Sequence, residues 1–108
     1  MTRYTFKQYD YGVSLQANIT LPDGSPLDLN DPTITGIKFK MWIPRKPNNI
    51  IVQGDAEIVD PDNGLVRYTF REGQLGIKPG TYKAEFEVMM EDAKISTETF
   101  WVEVVESA

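Results

Sequence analysis

The chain has 108 residues and a formal net charge of -5, with no His and no Cys. An acidic balance argues against nonspecific binding to nucleic acid or anionic membrane, which takes basic patches. Without His or Cys there is no imidazole general base, no Ser-His-Asp arrangement, no imidazole or thiolate metal site and no disulfide.

The length fits one domain spanning 1–108 around a single core. No apolar run of signal-peptide length opens the chain, and none approaches the ~20 residues of a membrane span. The expectation is a soluble protein made without a secretion signal.

The opening "RYTFKQYDYG" carries Tyr4, Phe6, Tyr9 and Tyr11. It reads as an edge strand of this domain, with an arm that pairs with a neighbour as the alternative. Strict alternation follows in "VSLQANITL", which places Val13, Leu15, Ala17, Ile19 and Leu21 inward and ends at Pro22-Asp23-Gly24, a turn signal. "PLDLNDPT" is connecting chain. In "GIKFKMWIP" Ile37, Phe39, Met41 and Ile43 point inward and Lys38, Lys40 and Trp42 outward, and Pro44 and Pro47 are expected to stop the strand through "PRKPNN".

A hairpin is predicted between residues 55 and 70. The Asn63-Gly64 pair supplies its turn, and Val66, Tyr68 and Phe70 share a phase. In the next strand Tyr82, Ala84, Phe86, Val88 and Met90 fall on one face, and Lys83, Glu85, Glu87 and Met89 on the other. The last strand slips phase between Thr97 and Phe100, which predicts a β-bulge or bend near Glu98 or Thr99.

Seven or eight strands with turn signals at short intervals predict an all-β, immunoglobulin-like antiparallel sandwich. "KPGTYKAEFEV" has the layout of a tyrosine corner: Gly80 turns, Tyr82 opens the strand, and Ala84 stands where antibody domains have Cys. The Tyr82 hydroxyl is then expected to donate to backbone in the 75–80 loop.

The ordered set "LPDGSPLDL", "IKFKMW", "PDNGLVRYTF", "PGTYKAEFEV" and "ISTETF" resembles the N-terminal domain of the upper baseplate protein family of tailed phages infecting Gram-positive bacteria, over about residues 11–104. The chain departs from that pattern at "LNDPTITG" and "EDAK", so contacts borne by those loops do not carry over. The resemblance implies an immunoglobulin-like attachment module that docks a longer protein on the tail's baseplate. Here the module is nearly the whole chain, which implies an excised domain or a small stand-alone relative.

The remaining chemistry reads as structure. Asp60 and Asp62 lack the run of oxygen ligands that closes a calcium loop, and Asp and Asn are ordinary turn formers. Glu85 and Glu87 read as a solvated charge row protecting a sheet edge rather than as an acid–base pair. Asn18 starts an "NIT" glycosylation pattern, but inside a strand of a chain without a secretion signal. No residue is assigned to catalysis, a cofactor or a metal.

The candidate interface is Trp42 with Arg45 and Lys46: Trp and Arg are residue types enriched at binding hot spots, and the three lie on or beside a Pro-stiffened loop next to strand-edge backbone. The expected protein is a non-enzymatic docking module. Its expected partners are phage tail or baseplate proteins or a second copy of itself, with no nucleic acid and no membrane, and its expected place is the virion or the host cytoplasm during assembly. The alternative is a carbohydrate-binding module that stacks exposed aromatics on host glycan.

Overall fold

The computed structural model describes residues 3–107 and is all-β. Its strands are β1 (Arg3–Lys7), β2 (Ser14–Asn18), β3 (Ile34–Ile43), β4 (Lys46–Asp60), β5 (Leu65–Thr69), β6 (Gly80–Met90), β7 (Lys94–Ser96) and β8 (Phe100–Val105), and a 3-10 turn spans Pro61–Asn63. They form one path in the order β1-β8-β6-β3-β4-β5-β2, with β7 also on β6. No helix among the described residues is long and apolar enough to cross a membrane.

β4 turns this path into two layers. It pairs with β3 as far as Ala56 opposite Ile37, then with β5 from Glu57 opposite Arg67. The first layer is therefore β1, β8 with β7, β6, β3 and the start of β4, and the second is the end of β4, β5 and β2. The expected immunoglobulin-like sandwich is present, with eight strands.

One pairing departs from the antiparallel expectation: β1 runs parallel to β8, with Arg3 opposite Trp101 and Lys7 opposite Val105. Here β1 is an edge strand of the domain itself. No hairpin links it to β8, because the chain crosses from β1 to β2 in the other layer, so no tight turn forces the antiparallel direction.

The core is filled by alternate residues of both layers. Leu15, Ile19, Phe39, Met41, Tyr68, Tyr82, Phe86 and Val102 share it, as the matched phases predict. Phe39 of β3 stacks across the layers on Tyr68 of β5, with centroids 4.3 Å apart, and meets Phe86 at 5.3 Å. Such ring pairs add to the burial of large apolar area.

Two local expectations need correction. Leu21 is exposed, because β2 ends at Asn18 and the chain is already turning where Thr20 bridges Pro26. β3 does end at Ile43 as expected, but the break is only Pro44 and Arg45: the returning strand β4 already begins at Lys46, and Pro47 lies within it. Pro is tolerated there because the ladder is interrupted. Lys46 faces Ile43 but Ile50 is the next paired residue, facing Trp42, so Pro47–Asn49 bulge out of register. Residues 50–60 belong to this one strand.

The expected break near Glu98 is present. Glu87 faces Ser96 on β7 while Ala84 faces Phe100 on β8, a slip of one residue. Thr97 holds it, since its N–H donates to the Phe86 carbonyl at 2.9 Å and its hydroxyl accepts the Phe86 N–H at 3.0 Å. The tyrosine corner is also formed, with the Tyr82 hydroxyl donating to the Lys78 carbonyl.

Candidate docking surfaces

On the outer face of the first layer the registers align Trp42, Lys83, Trp101 and Arg3 in one row across β3, β6, β8 and β1. The Lys83 ammonium sits 5.1 Å from the Trp101 ring centroid, a cation–π contact. Trp42 has the outward phase expected of it and stands outside the central core cluster, yet it is only 9% exposed. The expectation of an open Trp face is therefore corrected. Trp42 has Ile50 and Lys83 as lateral neighbours, and the bulged Pro47–Asn49 segment adds chain at that end of the sheet. Arg45 and Lys46 are exposed at the turn above it, and neither enters an ion pair among the described residues.

The carboxylate row on β6 is not an edge feature. β6 lies between β3 on one side and β7 and β8 on the other, and Glu87 is 4% exposed. Lys40 reaches it at 3.0 Å and Lys94 at 3.3 Å, covering it from both neighbouring strands. Burial pushes the Glu87 carboxyl up, but hydrogen bonds and charge from Lys40 and Lys94 outweigh that and leave it below its ordinary value. Glu85 moves the other way, raised first by its own burial and then by the Glu87 charge beside it. The two carboxyls are pushed apart, as in many acid–base pairs. Here, however, the perturbations come from burial, from the Glu87 charge and from the two lysines of a lysine-bridged cluster on the sheet face. Alternation alone could not reveal this, because it sorts faces and does not show what covers them.

The open aromatic faces lie elsewhere. Tyr9 and Tyr11 are 66% and 60% exposed, on the loop joining β1 to β2. Tyr9 adopts a left-handed backbone, φ 66°, uncommon for a residue with a side chain. Its N–H donates to the Leu75 carbonyl at 3.1 Å and its ring lies over Gly76, so the conformation is fixed by the neighbouring loop. The "YDY" spacing was the available signal, but an edge strand accounted for it equally well.

Asp60 and Asp62 serve the turn. Asp60 accepts the Asn63 amide at 2.7 Å, and Asp62 accepts the Asn30 amide at 2.6 Å. Asn18, on β2, donates to the Asn63 carbonyl at 3.1 Å.

A two-layer sandwich built from eight strands defines the class as an all-β, immunoglobulin-like domain. The chain belongs to the BppU N-terminal domain family, baseplate structural domains of phages, whose model matches residues 2–108. Among curated proteins none matches it. Among solved structures it is similar to CopC from Methylosinus trichosporium OB3b, with a TM-score of 0.52 and 10% identity over 100% of this chain and 88% of that one. It also resembles part of the Group B Streptococcus pullulanase SAP, with a TM-score of 0.46 and 14% identity over 86% of this chain and 10% of that one. At such identities the CopC likeness supports the fold alone.

Proposed function

We propose that the chain is a non-enzymatic docking domain that fastens to other proteins of a phage tail baseplate. The observation that carries this reading is membership of the BppU N-terminal domain family over residues 2–108. Physical features support it. The chain has neither His nor Cys, and its perturbed carboxyls belong to a lysine-bridged cluster on a sheet face. One contact in this reading is the β3–β4 turn, where Arg45 and Lys46 meet an acidic partner surface while buried Trp42 stiffens the turn from beneath. A rigid turn loses little conformational freedom on docking. Co-purification with the tail proteins of the encoding phage tests this: a stoichiometric complex supports the reading, and a chain that never enters the baseplate sinks it.

A second reading is carbohydrate binding, favoured by the open rings of Tyr9 and Tyr11. A glycan array is the test. Specific binding that Tyr9→Ala with Tyr11→Ala abolishes would replace protein docking as the main activity.

A further inference from the structure

The two layers leave one side of the sandwich unclosed. Between β2 of the second layer and β7 of the first runs a groove of about 1100 Å³. Tyr4 closes one end, its hydroxyl donating to the Gln16 carbonyl at 2.5 Å. Ala17, Ile95 and Phe100 supply apolar lining. We propose that this slot takes an extended segment of a baseplate partner, free of acidic residues, as an added strand. The proposal rests on the docking reading above and names its mode.

Both walls of the slot are strand edges whose backbone direction is fixed by the pairings on their far sides. In β2 the residues that exchange hydrogen bonds with β5 are odd-numbered: Val13 accepts from Phe70 and Ile19 donates to Gly64. In an antiparallel pair the N–H and C=O of the intervening residues point the other way. Those of Gln16, Asn18 and Thr20 therefore face the slot. In β7 and its extension Ala93 accepts from Met90 and Thr97 donates to Phe86, so Ser96 and Glu98 face the slot from the opposite wall. Among the described residues these backbone groups have no backbone partner. The group that matches such a double row of donors and acceptors is another extended backbone.

The composition of the walls sets the partner's chemistry. Natural edges are blunted by Lys, Pro or bulges, and the outer strand β1 obeys this with Arg3 and Lys7. β2 does not. Its exposed positions are Ser14, Gln16 and Asn18, uncharged and within a regular ladder. In a chain with 25% charged residues, Glu98 is the one charge lining the slot among the described residues. A fitting segment alternates apolar residues toward Ala17, Ile95 and Phe100 with polar ones toward water, avoids Asp and Glu near Glu98, and gains from a Lys or Arg there.

Amide hydrogen exchange on the full chain, free and within the assembled baseplate of the encoding phage, tests the proposal. The amides of Gln16, Asn18, Thr20 and Ser96 are expected to exchange fast in the free chain and at least about tenfold slower in the assembly. Asn18→Pro places a ring where a slot-facing N–H was; it breaks no backbone bond but does remove the Asn18 side-chain donation to the Asn63 carbonyl. Ser96→Lys puts an edge-protecting charge on the other wall. Each should weaken baseplate association by about tenfold or more, Ser96→Lys at an unchanged melting temperature; if Asn18→Pro fails to fold, Ser96→Lys and the exchange data still decide. Unchanged exchange at these amides in an assembled baseplate overturns the slot and leaves the docking reading standing. A chain that does not assemble overturns both. Protection that develops when the isolated chain is simply concentrated overturns the heterologous partner and gives the slot to a second copy.

Discussion

The Tyr68 ring lies directly across Gly54: a β-carbon at position 54 would fall 2.8 Å from the Tyr68 hydroxyl oxygen and 2.9 Å from its Cε1. Gly54 faces Phe39 on the neighbouring strand, and Phe39 stacks on Tyr68, so the glycine is what lets the ring reach across from the other layer. Tyr68 has no room to retreat. It is 1% exposed, and its hydroxyl is bound to the Gln74 side-chain oxygen at 2.8 Å. Gly54→Ala is therefore expected to cost about 1–3 kcal/mol as overpacking, read as a lower urea midpoint at constant slope. A neutral outcome would show that the Tyr68 ring has slack.

Tyr82 closes its corner on the Lys78 carbonyl, which pins the loop before β6 to the strand that loop feeds. Burial also raises the Tyr82 hydroxyl above its ordinary value, so the group stays a donor throughout the working range. Tyr82→Phe removes one hydrogen bond and little volume. The expected loss is about 0.5–1.5 kcal/mol, the net value of such a bond. Chemical denaturation reads it directly, and an unchanged midpoint would mean that the corner bond contributes nothing.

Glu87 and Glu85 should affect stability with opposite signs. Glu87 is lowered in the fold, so its contribution is present above the ordinary carboxyl value of 4.5 and is lost as pH falls through the lower folded value. Glu85 is raised, so its ionised form is disfavoured in the fold and its cost accrues as pH climbs through 4.5 to the higher folded value. At pH 7, Glu87→Gln is expected to lower stability by about 1–2 kcal/mol, less than for a fully buried pair because both lysines can rehydrate. Glu85→Gln should raise the melting temperature at the same pH. Both differences from the parent chain should shrink once pH is well below the carboxyl range, and melting curves at pH 7 and in acid would expose a reversed order.

The alternation of "GIKFKMWIP" and "TYKAEFEV" was enough to place Phe39, Met41, Tyr82 and Phe86 in one core, because in-plane strands have only two faces and one is apolar. The phase slip before Phe100 likewise located the Thr97 break, since a single inserted residue inverts every side chain after it. Coverage was not legible. Trp42 and Glu87 sit in the outward phase but are buried, Glu87 beneath Lys40 and Lys94 from the neighbouring strands. The parallel placement of β1 and the slot between β2 and β7 depend on which strands end up as edges. One strand's pattern cannot specify its neighbour.

The burial of Trp42 separates two roles that the sequence joined in one loop. At 9% exposure Trp42 is part of the scaffold, so Trp42→Ala removes a large buried ring and is expected to cost about 3 kcal/mol or more. Arg45 and Lys46 are exposed and outside the observed ion pairs, so Arg45→Ala with Lys46→Ala should leave the melting temperature within a degree or so, as surface changes usually do. If the turn meets an acidic partner, this pair should weaken baseplate association by about tenfold, and rim charges of this kind act mainly on the association rate, which then loses its dependence on salt. Association kinetics of parent and double variant at low and high ionic strength make the comparison. Equal rates and equal salt slopes would remove the turn from the interface while leaving the β2–β7 slot untouched as the docking site.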